Sequence, residues 1–414
     1  MINHSIAKAS ATFNKKTNLL FLFGAFFTFC AKGQDLSTQL SFANEVQLLK
    51  KHYSPIILSR DKQKVIVLAE LQGRVMSSTD QGDKYNGYGR FNYEYLSKPH
   101  HDRNAAMGGA DRLWFGPDAS KYSLFFEPGV QTIPENINVP IAVSMTPFDV
   151  ISKANDSVTL TKALAMKNYQ GFNFKFKVDR TIQLLDKTQL PMPLPADINW
   201  VGYSTTTSVE NISTQAWTKE TGLFSIWDLG AFYPSKKTTV IIPLRQSIET
   251  KNSEPLKKAT RYFSDIKESH TKIIDHMVYY KADANYMNKI GIPVEHTKPI
   301  FGSYDEERKL LTVVTFSMTS DTDADYVNGI WRFEGDAYNG EIINVFNDGA
   351  PDEQSKPFGP FYELETSSIA LALTPKQKYQ HRHTTMHFQA DETSLNILTR
   401  QLFGVPLEQI KSVF

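Results

Sequence analysis

Apolar and polar residues alternate one by one along much of this chain. The clearest run sets Phe172, Phe174, Phe176 and Val178 against Asn173, Lys175 and Lys177. Side chains of an extended strand point to opposite faces in turn, so a period of two predicts strands with one buried face. The same pattern, carried by β-branched and aromatic residues, predicts strands at Ile56–Ser59, Lys64–Leu71, Gly73–Met76, Lys121–Phe126 and Ser157–Leu164. It continues through Phe172–Leu185, Asn199–Glu210, Gly222–Phe232, Thr238–Pro243, Lys272–Lys281 and Lys309–Met318. Helical spacing is confined to the ends. Phe42, Val46, Leu49 and Tyr53 would share one face of a helix over Ser41–Tyr53. Near the C-terminus Asp391 fits an N-cap, Leu395, Leu398 and Leu402 an inner face, and Gly404 a stop. Glu249–Thr271 is more polar and reads as a helix or a surface excursion. Many strands, short turns and terminal helices predict an all-β fold of large antiparallel sheets stacked face to face. Pro191–Pro195 does not separate domains, because strand patterning resumes at once, so residues 34–414 are read as a single domain.

The most informative stretch is Gly359–Phe388, which reads as strand, turn and strand, with Thr374-Pro375-Lys376 as the turn. Alternation puts Phe361, Glu363 and Glu365 on one face and Tyr362 and Leu364 on the other. A buried carboxylate costs several kcal/mol unless it has a partner or a task. Glu365 and Glu363 are therefore candidates for a paired acid and base, or for carboxylates bridged to Arg112 or Arg382. Tyr379, His381, His383 and His387 share one face of the following strand. His381 and His383 are spaced to hold one metal ion only with a third ligand, for instance Glu365; hydrogen-bonded histidines are the simpler reading, and no metal or cofactor is expected.

A second stretch, Pro99–Pro117, crowds His100, His101, Arg103, Asp111, Arg112 and Trp114 around Gly108-Gly109. Adjacent glycines allow close approach of backbone to a ligand. Asp111, Arg112 and Trp114 combine a carboxylate, a fork of donors and a stacking plate, a set that suits a sugar; a structural ion pair beside a core tryptophan is the alternative. Arg74 on its predicted strand and Asp348 in the Asn347-Asp348-Gly349 turn complete the candidate binding residues. Asp80–Arg90 is a polar, glycine-rich loop with aromatic residues in it, of a kind that often carries function. Asp321–Asp325 lacks the glycine and glutamate of a calcium loop and reads as a solvated acidic turn.

Composition narrows the function classes. Lys and Arg number 45 against 44 Asp and Glu, so no basic excess points to a nucleic-acid partner. Aromatic residues make up 12% of the chain, which suits sheet cores and also sugar-stacking faces. Lys15 and Lys16 precede the apolar run Leu19–Phe29, which has secretory-signal length and is too short for a membrane span. Cleavage after Gly33 would make residues 1–33 a signal peptide and the protein secreted or periplasmic. Cys30, the only cysteine, is the alternative: the lipid anchor of an outer-membrane lipoprotein.

The C-terminal stretch resembles the galactose mutarotase (aldose 1-epimerase) superfamily. The resemblance lies in Leu364-Glu365-Thr366-Ser367, the Leu373-Thr374-Pro375-Lys376 turn and the last strand, Tyr379–Phe388. It implies a large β-supersandwich and puts Glu365 where that family has its catalytic glutamate. The family's His-Gly-Gly segment resembles the region of His100, His101, Gly108 and Gly109, so His101 is a candidate catalytic partner. A closer resemblance, over most of residues 45–411, is to a family of secreted bacterial proteins without an assigned reaction. It is carried by Gly108–Pro117, Trp217–Gly222, Ser225–Trp227, Asn347–Gly349 and Gly359–Ser368. One departure matters. Mutarotases carry a catalytic histidine in a mid-chain segment, and the corresponding Asn211–Phe232 has none, so the acid would have to be His101, His381 or His383, or the activity is absent. The resemblance thus implies a saccharide ligand and leaves three readings open: a sugar epimerase with Glu365 as base, a glycan-binding protein without turnover, or a polysaccharide lyase or hydrolase.

Overall fold

The computed structural model describes residues 39–99, 102–104, 107–245, 267–321, 324–329, 335–350 and 357–414. Residues 1–33, Cys30, His101 and most of Glu249–Thr271 lie outside them.

Among the described residues three antiparallel sheets carry the fold, of ten, five and three strands. The ten-stranded sheet runs, from edge to edge, through Thr271–Ile274, Met277–Lys281, Thr238–Pro243, Ile300–Asp305, Leu310–Phe316, Lys378–Gln389, Asn199–Asn211, Asn173–Leu184, Ser157–Lys167 and Asp149–Lys153. The five-stranded sheet orders Asn288–Pro293, Glu341–Asn347, Tyr362–Ser367, Ser225–Phe232 and Arg112–Gly116. A three-stranded meander, Ile56–Arg60, Gln63–Leu68 and Arg74–Thr79, sits beside them. The expected all-β architecture is present, with short helices at both ends. Ser41 caps the helix Phe42–Leu49, and Asp391 caps Glu392–Phe403, which stops at Gly404 in left-handed backbone (φ 79°).

The main core fills the space between the ten- and five-stranded sheets. Phe174, Phe176, Phe115, Trp217 and Phe224 meet there, with Phe174 and Phe224 at a centroid distance of 5.0 Å. The C-terminal helix packs Leu395, Leu398 and Phe403 against the outer face of the large sheet, on Ile241, Met386 and Phe388.

Two expected strands come out differently. Lys272–Lys281 is a hairpin, Thr271–Ile274 and Met277–Lys281, because Asp275 takes a left-handed conformation (φ 51°) between them. Lys121–Phe126 forms no strand. The Ser120 hydroxyl accepts from the Tyr122 N–H (3.2 Å) and the Ser123 hydroxyl from the Phe125 N–H (3.0 Å), which replaces ladder bonds by local turns. Strands that alternation did not announce include Asn288–Pro293, Ile300–Asp305 and Glu341–Asn347; the last is buried at every position and so shows no period.

Candidate functional site

Tyr362–Ser367 is the central strand of the five-stranded sheet. Register fixes which side chains share its faces. Glu365 lies opposite Asn344 on one neighbour and Leu229 on the other, and Glu363 opposite Phe346 and Ala231. Arg112 is opposite Leu229, and Trp114 opposite Trp227. Cross-strand partners point the same way. Arg112, Trp114, Trp227, Glu363 and Glu365 therefore crowd the face turned away from the ten-stranded sheet.

On that face two ion pairs stand side by side. Arg112 Nη2 donates to Glu363 Oε1 at 2.8 Å. Lys289 Nζ donates to Glu365 Oε2 at 2.9 Å, and the Trp227 indole N–H donates to the same oxygen at 2.9 Å. Each cation also lies over an indole: Arg112 is 4.5 Å from the Trp114 ring and Lys289 4.4 Å from that of Trp227. The two indoles meet edge to face at 5.8 Å. Glu365 is fully buried. Its other oxygen, Oε1, has no hydrogen-bond partner. Burial raises the Glu363 carboxyl, and the charge of Arg112 opposes the rise.

Asp118 joins the group from the loop after Arg112–Gly116. It lines a small crevice with Lys289, Trp227, Glu341, Asn344 and Ser367. Burial pushes its carboxyl up to about 6, against the pull of Lys289 and with a further push from Glu365, and its Oδ1 has no hydrogen-bond partner. Two carboxyl groups, each with one unused oxygen, thus lie within electrostatic reach of one lysine.

The structure brings Glu365, Glu363, Arg112 and Trp114 together, as the sequence suggests. It does not bring Asp111, Arg74 or Asp348 there, and His101 lies outside the described residues. Asp111 precedes Arg112 on a strand and so points the other way, into the space between the sheets. There it accepts from Arg180 Nη2 at 2.5 Å and from Thr205 at 2.7 Å. Arg180 also donates to Asp228 at 2.7 Å, and all three charged side chains are fully buried. Arg74 is buried too, donates to the Gly108 carbonyl at 3.0 Å, and supports the glycine pair from beneath; burial lowers it to about 9. Asp348 ties its turn to the segment that leads into Tyr362–Ser367, accepting from the backbone N–H groups of Phe358 (3.2 Å) and Gly359 (2.9 Å).

The histidines face the inter-sheet space. His381 Nε2 and His383 Nδ1 converge on the Thr366 hydroxyl at 3.0 and 2.8 Å. Thr366 follows Glu365 on the strand and points to the opposite face, so Glu365 is no third ligand for that pair and neither histidine is its proton-transfer partner. Among the described residues no three His, Cys, Asp or Glu side chains are grouped to hold a metal ion.

Both glycines of the pair have positive φ, 75° at Gly108 and 122° at Gly109, and the approach they allow is to protein rather than to a ligand. A Cβ on Gly109 would lie 3.0 Å from Arg74 Cδ and from the Val75 carbonyl oxygen. Gly109→Ala is expected to destabilise the protein by about 1–3 kcal/mol, seen as a lower urea midpoint with unchanged slope.

Residues 40–414 match the model of a family described as a family of unknown function (DUF6786). The chain belongs to this family. A comparison with curated proteins found no match. Among solved structures, the chain is similar to a galactose mutarotase-like protein from Lactobacillus casei, at 13% identity and a TM-score of 0.47 over 81% of this chain and 100% of that one. It is also similar to a galactose mutarotase related enzyme from Lactobacillus acidophilus, at 10% identity and a TM-score of 0.44 over 81% and 98%. A third is the Slr1438 protein from Synechocystis, at 12% identity and a TM-score of 0.47 over 82% and 97%.

Three members of the site escape a reading of the DUF6786 sequence. Lys289 stands in a strand that alternation did not reveal, and its pairing with Glu365 spans 76 positions. Trp227 sits inside the Ser225–Trp227 motif but shows its role only through its indole N–H. Asp118 immediately follows Pro117, and only the fold of that loop sets it beside Lys289.

Proposed function

We propose that this protein is an exported, carbohydrate-active protein that binds a sugar at the Glu365 face and transfers protons at its anomeric centre. One observation carries the reading: Glu365 is held at Oε2 by Lys289 and Trp227 while its buried Oε1 is left without a donor. A buried acceptor left unmade is costly, and a substrate hydroxyl would satisfy it. The aromatic walls and the Arg112–Glu363 pair supply the mixture of ring faces and hydrogen-bonding groups that a sugar uses. The resemblance of Leu364–Ser367 to the mutarotase glutamate segment points the same way.

In the proposed reaction Glu365 Oε1 takes the proton of the anomeric hydroxyl. The electron pair forms the carbonyl, the bond from C1 to the ring oxygen breaks, and the ring oxygen takes a proton from an acid. Rotation and the reverse steps give the other anomer. Asp118 replaces the missing mid-chain histidine as that acid: its environment keeps a proton to higher pH than an ordinary carboxyl, the usual division of labour between an acid and a base at one site. Export rests on the Lys15–Phe29 segment and is tested by the N-terminal sequence of the mature protein.

The acid must be protonated to work. With Asp118 near 6, anomer exchange is expected to fall as pH rises through about 6, approaching about tenfold per unit above it. Asp118→Asn should lower the rate and abolish that limb. A rate that stays flat to pH 8 in the native protein would remove Asp118 from the role. A second reading, glycan binding without turnover, is favoured by the absent histidine; it predicts saccharide-induced line broadening with no anomer exchange.

A further inference from the structure

Of the loop Asp80–Arg90, only Arg90 reaches toward the Glu365 face, with its guanidinium 4.8 Å from the Phe361 ring and its charge acting on Glu363. Residues 81 and 84–88 form one wall of a cavity of about 730 Å³ elsewhere on the molecule. This volume is in the range of small-molecule sites. The wall is fixed in place: Tyr85 accepts from the Phe42 N–H at 2.8 Å, Gln39 donates to the Gly87 carbonyl at 2.5 Å, and Lys64 pairs with Asp83 at 2.8 Å. His387 lies in the wall of the cavity, fully buried. Its ring stacks on Tyr88 at 4.6 Å, its Nδ1 meets the Thr312 hydroxyl at 3.0 Å, and its Nε2 has no hydrogen-bond partner.

The lining decides what could enter. An anion would meet no unused buried cation. Arg308, the cationic side chain set deeper in the lining, is spent on the carbonyls of Tyr233 (2.8 Å) and Pro234 (3.3 Å) and on Asp305 (3.6 Å). Burial holds His387 neutral, its pKa lowered to about 3. Lys84, Lys309 and Glu307 stand exposed at the rim with mixed sign. The lining is not purely apolar either: within it Gln81 Nε2 donates to Gln389 Oε1 at 2.7 Å, and Gln389 Nε2 to the Arg308 carbonyl at 3.0 Å. A neutral ring bearing hydroxyls fits both limits, with Tyr85, 54% exposed at the mouth, as a platform for its apolar face.

We propose that this cavity is a second binding site, for a neutral saccharide, separate from the Glu365 face. The two sites share the strands Ser225–Phe232 and Tyr362–Ser367 but use opposite faces of them, Phe232 and Tyr362 here against Trp227 and Glu365 there, so one can fail without the other. The test uses full-length protein with ¹³C-labelled histidine, with the His387 ring signal assigned by His387→Phe. D-glucose, D-galactose and cellobiose are titrated in turn, with inorganic phosphate as the anionic control. A saturable shift of the His387 signal with at least one of the sugars is expected. It should weaken about tenfold in Tyr85→Ala, the loss typical of one aromatic anchor, and persist in Glu365→Gln. Tyr85 is exposed, so its removal leaves the fold intact. No shift with any of the three sugars overturns the proposal, as does a shift with phosphate alone. A shift kept in Tyr85→Ala but lost in Glu365→Gln also overturns it, and assigns the binding to the Glu365 face.

Discussion

Glu365→Gln is expected to lower anomer exchange by about 10²–10⁴-fold, the usual worth of a positioned base. The amide keeps the shape of the side chain and an oxygen for the Trp227 indole, so the loss is one of proton affinity. The same change removes the counter-charge of Lys289, whose side chain is 9% exposed. Breaking one partner of a buried pair costs on the order of 3–5 kcal/mol, so the variant should also melt earlier. The two effects separate in a second variant. Adding Lys289→Met to Glu365→Gln removes the other half of the broken ion pair and should recover part of the stability without recovering exchange. If the double variant regains activity together with stability, Glu365 is a structural residue.

Arg180→Met is expected to give a large loss of stability, with no direct effect on the Glu365 face. Arg180 holds Asp111 and Asp228 between the sheets, and its removal leaves two fully buried carboxyl groups facing each other. A loss of about 3–5 kcal/mol follows, or roughly 4–6 °C in melting temperature. Asp228 is already raised to about 7 by burial with Arg180 in place. Without the cation it holds a proton still more readily. A neutral carboxyl needs no counter-ion, so the deficit should shrink as pH is lowered. Thermal melts of both proteins across the neutral and mildly acidic range check this. A deficit that grows on acidification would contradict the assignment of Arg180 to charge compensation.

The sheets were legible where one face meets the core and the other meets solvent. Phe174, Phe176 and Val178 are buried while Asn173 and Lys175 are exposed, as their alternation requires. The five-stranded sheet was less legible because it is covered on both faces. Glu341–Asn347 carries apolar and polar side chains alike into buried positions and loses its period. At the candidate site, Glu363 and Glu365 were readable from the strand period alone. The same period, applied to Asp111 and Arg112, separates them: adjacent strand residues cannot both face one ligand. Arg112 reaches Glu363, and Asp111 turns inward to Arg180. Lys289 and Asp118 were beyond reach, because their meeting with Glu365 depends on sheet order and loop path rather than on local spacing. The buried histidines show the converse. Their shared face was readable, but that it opens on the inter-sheet core and not on Glu365 follows only from how the two sheets stack.

The most direct test of a sugar site at Glu365 is magnetisation-exchange proton NMR of equilibrated aldoses, with native protein and with Glu365→Gln at equal concentration. Faster exchange between α and β anomers with the native protein, lost in the variant, is the predicted result. Equal exchange with both proteins, above the rate in buffer, would contradict the assignment of Glu365 as the base.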